Sequence, residues 1–197
     1  MPPRRSPAPK STHRPANPRR LMPCVPVVMA SDQDRAIAAE AVEVLKEFGV
    51  AHEWRILPDV GAPERVGSFA REAQGRGVAV VIAAGGGAAH LAGAIAASTI
   101  LPVIGVPVRT AALNGMDSLL STAQTPSGVP VAGVGIDGGR NAALLAAAIL
   151  ALREPALSER LVAFRRRQAE RAADADARLQ EVGGDGASGC PRGEGRR

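Results

Sequence analysis

Val78-Ala79-Val80-Val81-Ile82-Ala83, running into Ala84-Gly85-Gly86-Gly87-Ala88-Ala89-His90, decides the fold of this chain. A short apolar run rich in β-branched residues reads as a strand. The run shows no polar alternation, so both of its faces must be covered, as in parallel sheets dressed with helices. The glycines that follow open a turn at the strand's carboxyl end, where open α/β sheets place their ligands.

Working outward, the same grammar repeats. Val25 to Met29, Ala51 to Leu57, Pro102 to Val106 and Val131 to Ile136 read as further strands. Ser31 is placed to cap a helix whose apolar face is Ile37, Ala41, Val44, Leu45 and Phe48, ended by Gly49. Pro63 suits the first turn of a second helix reaching about Gly75, and a short Ala-rich helix begins near Ala88. Strands alternating with helices predict an α/β doubly wound sandwich with right-handed crossovers. The stretch 141–152 is apolar all round, which predicts burial on every side and hence a subunit interface. Leu157, Leu161 and Phe164 carry a weaker stripe into an Arg- and Glu-rich C-terminal helix. The expected organisation is a basic, Pro-rich disordered tail over 1–24, a compact domain over 25–165, a helical extension over 166–182 and a disordered tail over 183–197.

Charge is unevenly distributed. Residues 1–24 hold six Arg or Lys and no acid, 25–152 hold eight bases against eleven acids, and 153–197 hold ten against eight. The compact part is therefore acidic and the basicity lies in the flanks, which read as solvated tails. With three Phe, one Trp and no Tyr there is no stock of base-stacking platforms, so nucleic acid is not an expected partner. Seven prolines in the first 24 residues forbid an amphipathic targeting helix; disorder, or translation begun ahead of Met22, is the expectation. Cys24 and Cys190 have neither metal-site spacing nor the numbers for a disulfide framework, which suits a reducing cytoplasm. No apolar run reaches the roughly 20 residues of a membrane helix.

Three segments after strands carry the candidate chemistry. Met29-Ala30-Ser31-Asp32-Gln33-Asp34 places Ser31 and Asp34 at a helix start, where they could bond sugar hydroxyls or simply cap. Gly85, Gly86, Gly87 and Ala88 let a ligand approach successive amides, an anion or carbonyl cradle. The run is neither a dinucleotide fingerprint nor a P-loop. His90 follows it, and a buried structural imidazole fits that setting as well as a catalytic one. The third segment, from Gly105 to Leu119, offers Arg109, Asn114 and Asp117, or only a turn and a cap.

Together, Met-Ala-Ser-Asp at 29–32, Gly-Gly-Ala-Ala-His-Leu at 86–91, Gly-Val-Pro-Val at 105–108, Ala-Leu-Asn-Gly-Met-Asp-Ser-Leu at 112–119 and Asn-Ala-Ala-Leu-Leu-Ala-Ala at 141–147 resemble the carboxyaminoimidazole ribonucleotide mutase (PurE) family, from about Val25 to Phe164. The resemblance implies a flavodoxin-like three-layer α/β/α sandwich assembled as an octamer. It implies purine biosynthesis: a carboxyl group passes as carbon dioxide from a substituent nitrogen to a ring carbon of an aminoimidazole ribonucleotide, without metal or organic cofactor. It matches Ser31 and Asp34 to nucleotide-contacting positions, Gly85 to Ala88 to the carboxyl cradle, and His90 to a histidine beside the ring. Leu91 and Arg109 complete the expected substrate-binding set.

The resemblance fails in one loop. Where the family typically has Ser-Ala-His-Arg-Thr-Pro, this chain has Pro58-Asp59-Val60-Gly61-Ala62-Pro63. Val60 stands in place of the proton-transfer histidine, and Pro58 and Gly61 replace phosphate-holding residues. The loop Gly135 to Asn141 is also about two residues shorter. Asp59 and His90 are the remaining candidates for proton transfer, although an extended backbone would turn Asp59 away from Val60. Arg65 and Arg109 are the candidates for a displaced phosphate contact. Three readings stay open on sequence: a mutase or carboxylase with a relocated proton carrier, a diverged decarboxylase of secondary metabolism, and a catalytically silent ligand-binding homologue.

Overall fold

The computed structural model describes residues 23–183; of the two tails read as disordered, 1–22 and 184–197 lie outside that range, with Cys190, while Cys24 belongs to the first strand and Gly183 to the last helix. In chain order the elements are β1 (Cys24–Met29), α1 (Arg35–Glu47), β2 (Ala51–Ile56), α2 (Pro63–Ala73), β3 (Val81–Gly86), α3 (His90–Ala96), β4 (Val103–Val108), α4 (Met116–Ala123), β5 (Ala132–Gly133), α5 (Gly139–Ala151) and α6 (Pro155–Gly183). The five strands pair in parallel in the order β2-β1-β3-β4-β5. That order is the flavodoxin-like form of the doubly wound sheet, whose crossover direction reverses between β1 and β3.

Alternation along each buried strand feeds two cores. Val25, Val27 and Met29 of β1 and Ile82 and Ala84 of β3 join Ala38, Val42 and Leu45 of α1 and Ala143 and Ala147 of α5. Val28, Val81 and Ala83 face the other way, onto Val66, Phe69 and Ala70 of α2 and Leu91 and Ile95 of α3. Both faces are covered, which is why these strands carry almost no polar residues.

Several boundaries differ from the sequence expectation. β3 begins at Val81 rather than Val78, which makes only an isolated bridge to Cys24, and it continues through Gly85 and Gly86. β5 shrinks from six expected residues to two. Beyond them the chain keeps company with β4 through isolated bonds, Val134 N–H to the Gly105 carbonyl at 3.1 Å and Asp137 N–H to the Pro107 carbonyl at 2.8 Å. α5 is buried on one face only, through Ala142, Ala143, Ala146, Ala147 and Leu150; Leu145 and Leu152 remain exposed within the single chain. Helix α6 begins at Pro155 and runs unbroken past position 165. Its first turns dock on the end of α1, where Arg160 Nη1 donates to the Phe48 carbonyl at 2.6 Å and Phe164 meets Phe48 edge-on at 5.6 Å.

Candidate functional site

The sheet register brings the signature segments to one edge. Met29 pairs with both Ile56 and Ala84, while Gly86 pairs with Val108. The chain therefore leaves β1 at Ala30, β2 at Leu57, β3 at Gly87 and β4 at Arg109 along a common rim, around the crevice at the switch point. Ala30 and Gly85 lie close together at this edge, for a Cβ on Gly85 would lie 3.8 Å from that of Ala30.

On the β1 side, Ser31 and Asp34 form a capping box at the start of a 3₁₀ turn, Asp32–Asp34, that leads into α1. Ser31 Oγ accepts from the Gln33 amide at 3.2 Å, and Asp34 Oδ2 accepts from the Ser31 amide at 3.1 Å. Asp34 is buried, and burial pushes its carboxyl above the ordinary value of 3.8, against the lowering effect of the bonds from Ser31 and Ala30. Capping thus occupies one Asp34 oxygen in the chain itself.

The loop after β2 is not extended. Residues 59–61 turn, closed by the Ala62 amide on the Pro58 carbonyl at 2.9 Å. The turn throws Val60 outward, 79% exposed, and brings Asp59 inward. Asp59 Oδ2 sits 3.7 Å from His90 Nδ1, with the carboxylate largely covered and the imidazole 62% exposed. His90 is therefore not a buried structural histidine. It begins α3 at the rim of the crevice, and the structure brings it together with the second expected proton carrier.

The glycine run corrects the picture of a four-amide cradle. Gly85 and Gly86 are strand residues, and a Cβ on Gly86 would press on Thr110 Cγ2 at 3.3 Å. The turn proper is Gly87 to Ala89, with Gly87 at φ +67° and Ala89 at φ 38°. The Gly87 amide is taken by Ser118 Oγ at 2.8 Å, and the Ala89 amide by the Gly86 carbonyl at 3.3 Å. The Ala88 carbonyl accepts from Ser121 Oγ. Among the described residues the Ala88 amide has no partner. Leu91, expected near substrate, is 1% exposed and packs its side chain in the α2–α3 core.

On the β4 side Arg109 is held by Asp137, which accepts from its backbone amide at 2.8 Å and from Nε at 3.1 Å. Asp137 adopts φ 57° to reach both. The grip leaves the terminal nitrogens of the guanidinium unbonded at the rim. Arg65 lies elsewhere, around a hollow with Arg55, Ser68, Phe69, Glu72 and Arg76 on the β2–α2 side. Of the two candidate phosphate contacts, only Arg109 follows a strand that bounds the glycine turn. Among the described residues no group of three or more His, Cys, Asp or Glu could hold a metal ion.

Ser118, Ser121 and Asp137 escaped the sequence reading. Asp117-Ser118 after Gly115 reads as ordinary helix-start chemistry, and nothing local says that the two hydroxyls reach a turn some 30 residues away, as sequence separations of 31 and 33 attest.

The fold and these side chains define the class: a doubly wound α/β protein whose polar groups gather at the switch point, where such sheets bind ligands. The family model described as AIR carboxylase matches residues 24–171, and the chain belongs to that family. It is 47% identical over 161 residues to the N5-carboxyaminoimidazole ribonucleotide mutase of Pyrococcus horikoshii, covering 82% of this chain and 91% of that one. It is 49% identical over 162 residues to the protein of the same name from Mycobacterium tuberculosis, covering 82% and 93%. The crystal structure of Treponema denticola PurE superposes with a TM-score of 0.74 at 26% identity, covering 80% of this chain and 99% of that chain.

Proposed function

We propose that this protein is a carboxyaminoimidazole ribonucleotide mutase of purine biosynthesis that moves its proton with the Asp59–His90 pair. The observation that carries the reading is His90, at the rim of the switch-point crevice, with a largely covered carboxylate 3.7 Å away. It occurs in a chain about half identical to proteins named for that reaction. The relatives lend no support to the decarboxylase or silent-homologue readings.

The chemistry follows from the groups. The carbamate N–C bond breaks, releasing carbon dioxide and leaving its electron pair on the exocyclic nitrogen in conjugation with the ring. The ring carbon attacks the carbon dioxide, so that it bears both carboxylate and hydrogen. His90 takes that proton, the C–H pair restores the aromatic ring, and the proton is returned to the exocyclic nitrogen. Asp59 stabilises the imidazolium formed between the two transfers. Ser31 and Asp34 face the ribose, Arg109 the phosphate and the Gly87–Ala88 turn the carboxyl group. The partners in this reading are the ribonucleotide, carbon dioxide and further copies of the chain in an octamer. The site is cytoplasmic, in keeping with described helices that are none of them long and apolar enough to cross a membrane.

The test is rescue of a purine auxotroph lacking its own mutase, paired with turnover of the carbamate ribonucleotide by purified protein. Rescue and turnover are expected. Soluble, folded protein that does neither overturns the reading. His90→Ala should cost about 10²–10⁴ in kcat, the worth of a general acid–base group, and Asp59→Ala a smaller part of that loss.

A further inference from the structure

We infer that Ser118 and Ser121 of α4 are positioning residues which aim the Ala88 amide as the single carboxyl-binding donor of the glycine turn. The inference rests on the proposed carboxyl-transfer reaction and deepens it.

The bonding of three successive peptide units makes the case. The unit joining Gly86 to Gly87 is held at its nitrogen by Ser118 Oγ, at 2.8 Å. The unit joining Ala88 to Ala89 is held at both ends, its oxygen by Ser121 Oγ and its nitrogen by the Gly86 carbonyl. The unit between them, Gly87 to Ala88, has no bond to its amide, yet both neighbours are fixed. A donor without a partner between two fixed peptides is preorganised: it need not move to meet a developing negative charge. The position is open as well, since a Cβ on Gly87 would meet nothing within 4 Å and Ala88 is exposed.

Ser118 is suited to the task by its own surroundings. It is fully buried, and its hydroxyl donates to the Val108 carbonyl at 2.6 Å while accepting from Gly87. One hydroxyl thus ties the end of β4 to the turn after β3. Residues three apart on a helix share a face, which lets Ser121 reach the same turn from the next position along. Ser118→Ala takes the partner from a part-buried amide and a part-buried carbonyl, and the turn is free to rotate toward other partners.

The experiment compares wild type with Ser118→Ala, Ser121→Ala and Ser118→Cys, each first checked for an unchanged circular dichroism spectrum. Two affinities are measured by calorimetry, for carboxyaminoimidazole ribonucleotide and for aminoimidazole ribonucleotide, alongside kcat and KM. The two ligands differ only by the carboxyl group. Both alanine variants should bind the uncarboxylated nucleotide as wild type does. They should bind the carboxylated one at least tenfold more weakly and lose roughly 10- to 100-fold in kcat, short of the 10²–10³ for deleting an oxyanion donor outright. Ser118→Cys, a weaker hydrogen-bonding group, should fall between. Equal loss for both nucleotides, or unchanged kcat in a folded variant, overturns the inference. If Ser118→Ala does not fold, the partly exposed Ser121 decides by the same ratio. Wild type that binds both nucleotides but does not turn over the carbamate ribonucleotide overturns the proposed reaction, while the affinity ratio still decides on the serines. Wild type that binds neither overturns both.

Discussion

Residue 60 is a valine where the resemblance leads one to expect the proton-carrying histidine, and the geometry around it turns that substitution into a prediction. Valine cannot carry a proton, and here it faces solvent while its neighbour Asp59 turns in toward His90. A histidine at that position would face solvent as the valine does, so it should not replace Asp59. The Asp59→Ala/Val60→His double variant is expected to show the kcat of Asp59→Ala, because a general acid–base group acts only within hydrogen-bond reach of the proton it moves. Steady-state turnover of both variants checks it, and a double variant that recovers about tenfold or more would show that position 60 reaches the reacting proton. Asp34 makes a different demand. Burial raises its carboxyl pKa above 3.8, so the folded chain keeps that proton to higher pH than the unfolded chain does. Its stabilising effect is complete below the unfolded value and is lost as pH rises through the raised one. Asp34→Asn keeps an acceptor for the Ser31 amide and removes the titration. Urea melts between about pH 4 and pH 7 should show a flatter profile, with the variant at least as stable as wild type at pH 7.

At the scale of elements, close approach of backbone governs what each position tolerates. α1 and α5 lie against each other across one face of the sheet, and Gly139 opens α5 where a Cβ would sit 2.2 Å from the Ile37 carbonyl oxygen. Backbone cannot give way as a flexible side chain can, so Gly139→Ala should destabilise by about 1–3 kcal/mol, the usual cost of overpacking. Thermal unfolding would report it, and an unchanged Tm would mean the two helices separate freely. Contacts of this kind are also where reading the sequence stops. The strands and both cores were legible because continuous apolar runs and helical spacing are local signals. The end of β3 was not, because glycines read as loop while the neighbouring β4 holds Gly85 and Gly86 in the ladder. β5 was overcalled for the converse reason: its valines and isoleucine promise a strand, but only Ala132 and Gly133 pair with β4. The site divides in the same way. Ser31, Asp34, the glycines and His90 announce themselves after strands, whereas Ser118 and Asp137 act through bonds across 31 and 28 residues that no local pattern encodes.

The whole molecule leaves its chemistry uncovered. Carbon dioxide released in an open crevice would diffuse away, yet in one chain His90 is 62% exposed and Val60 79% exposed. The same chain exposes apolar surface away from the crevice: Leu145 on α5, Leu152 just after it, and Val162 on α6 beside a hollow lined by Ala151, Pro155 and Ala163. An apolar helix face without cover is the mark of an assembly surface. The proposed assembly would answer both observations if further copies that bury the helices also cover the crevice. Leu152, just past the end of α5, is 85% exposed among the described residues. Leu152→Asp places a charge that a buried interface would have to desolvate. Light scattering should then find particles well below eight times the 20.2 kDa chain, with the helical spectrum intact. Carboxyl transfer should fall at least tenfold, and wild-type specific activity should drop on dilution through the same dissociation. A Leu152→Asp variant of unchanged mass and unchanged rate would show that the crevice closes without its neighbours.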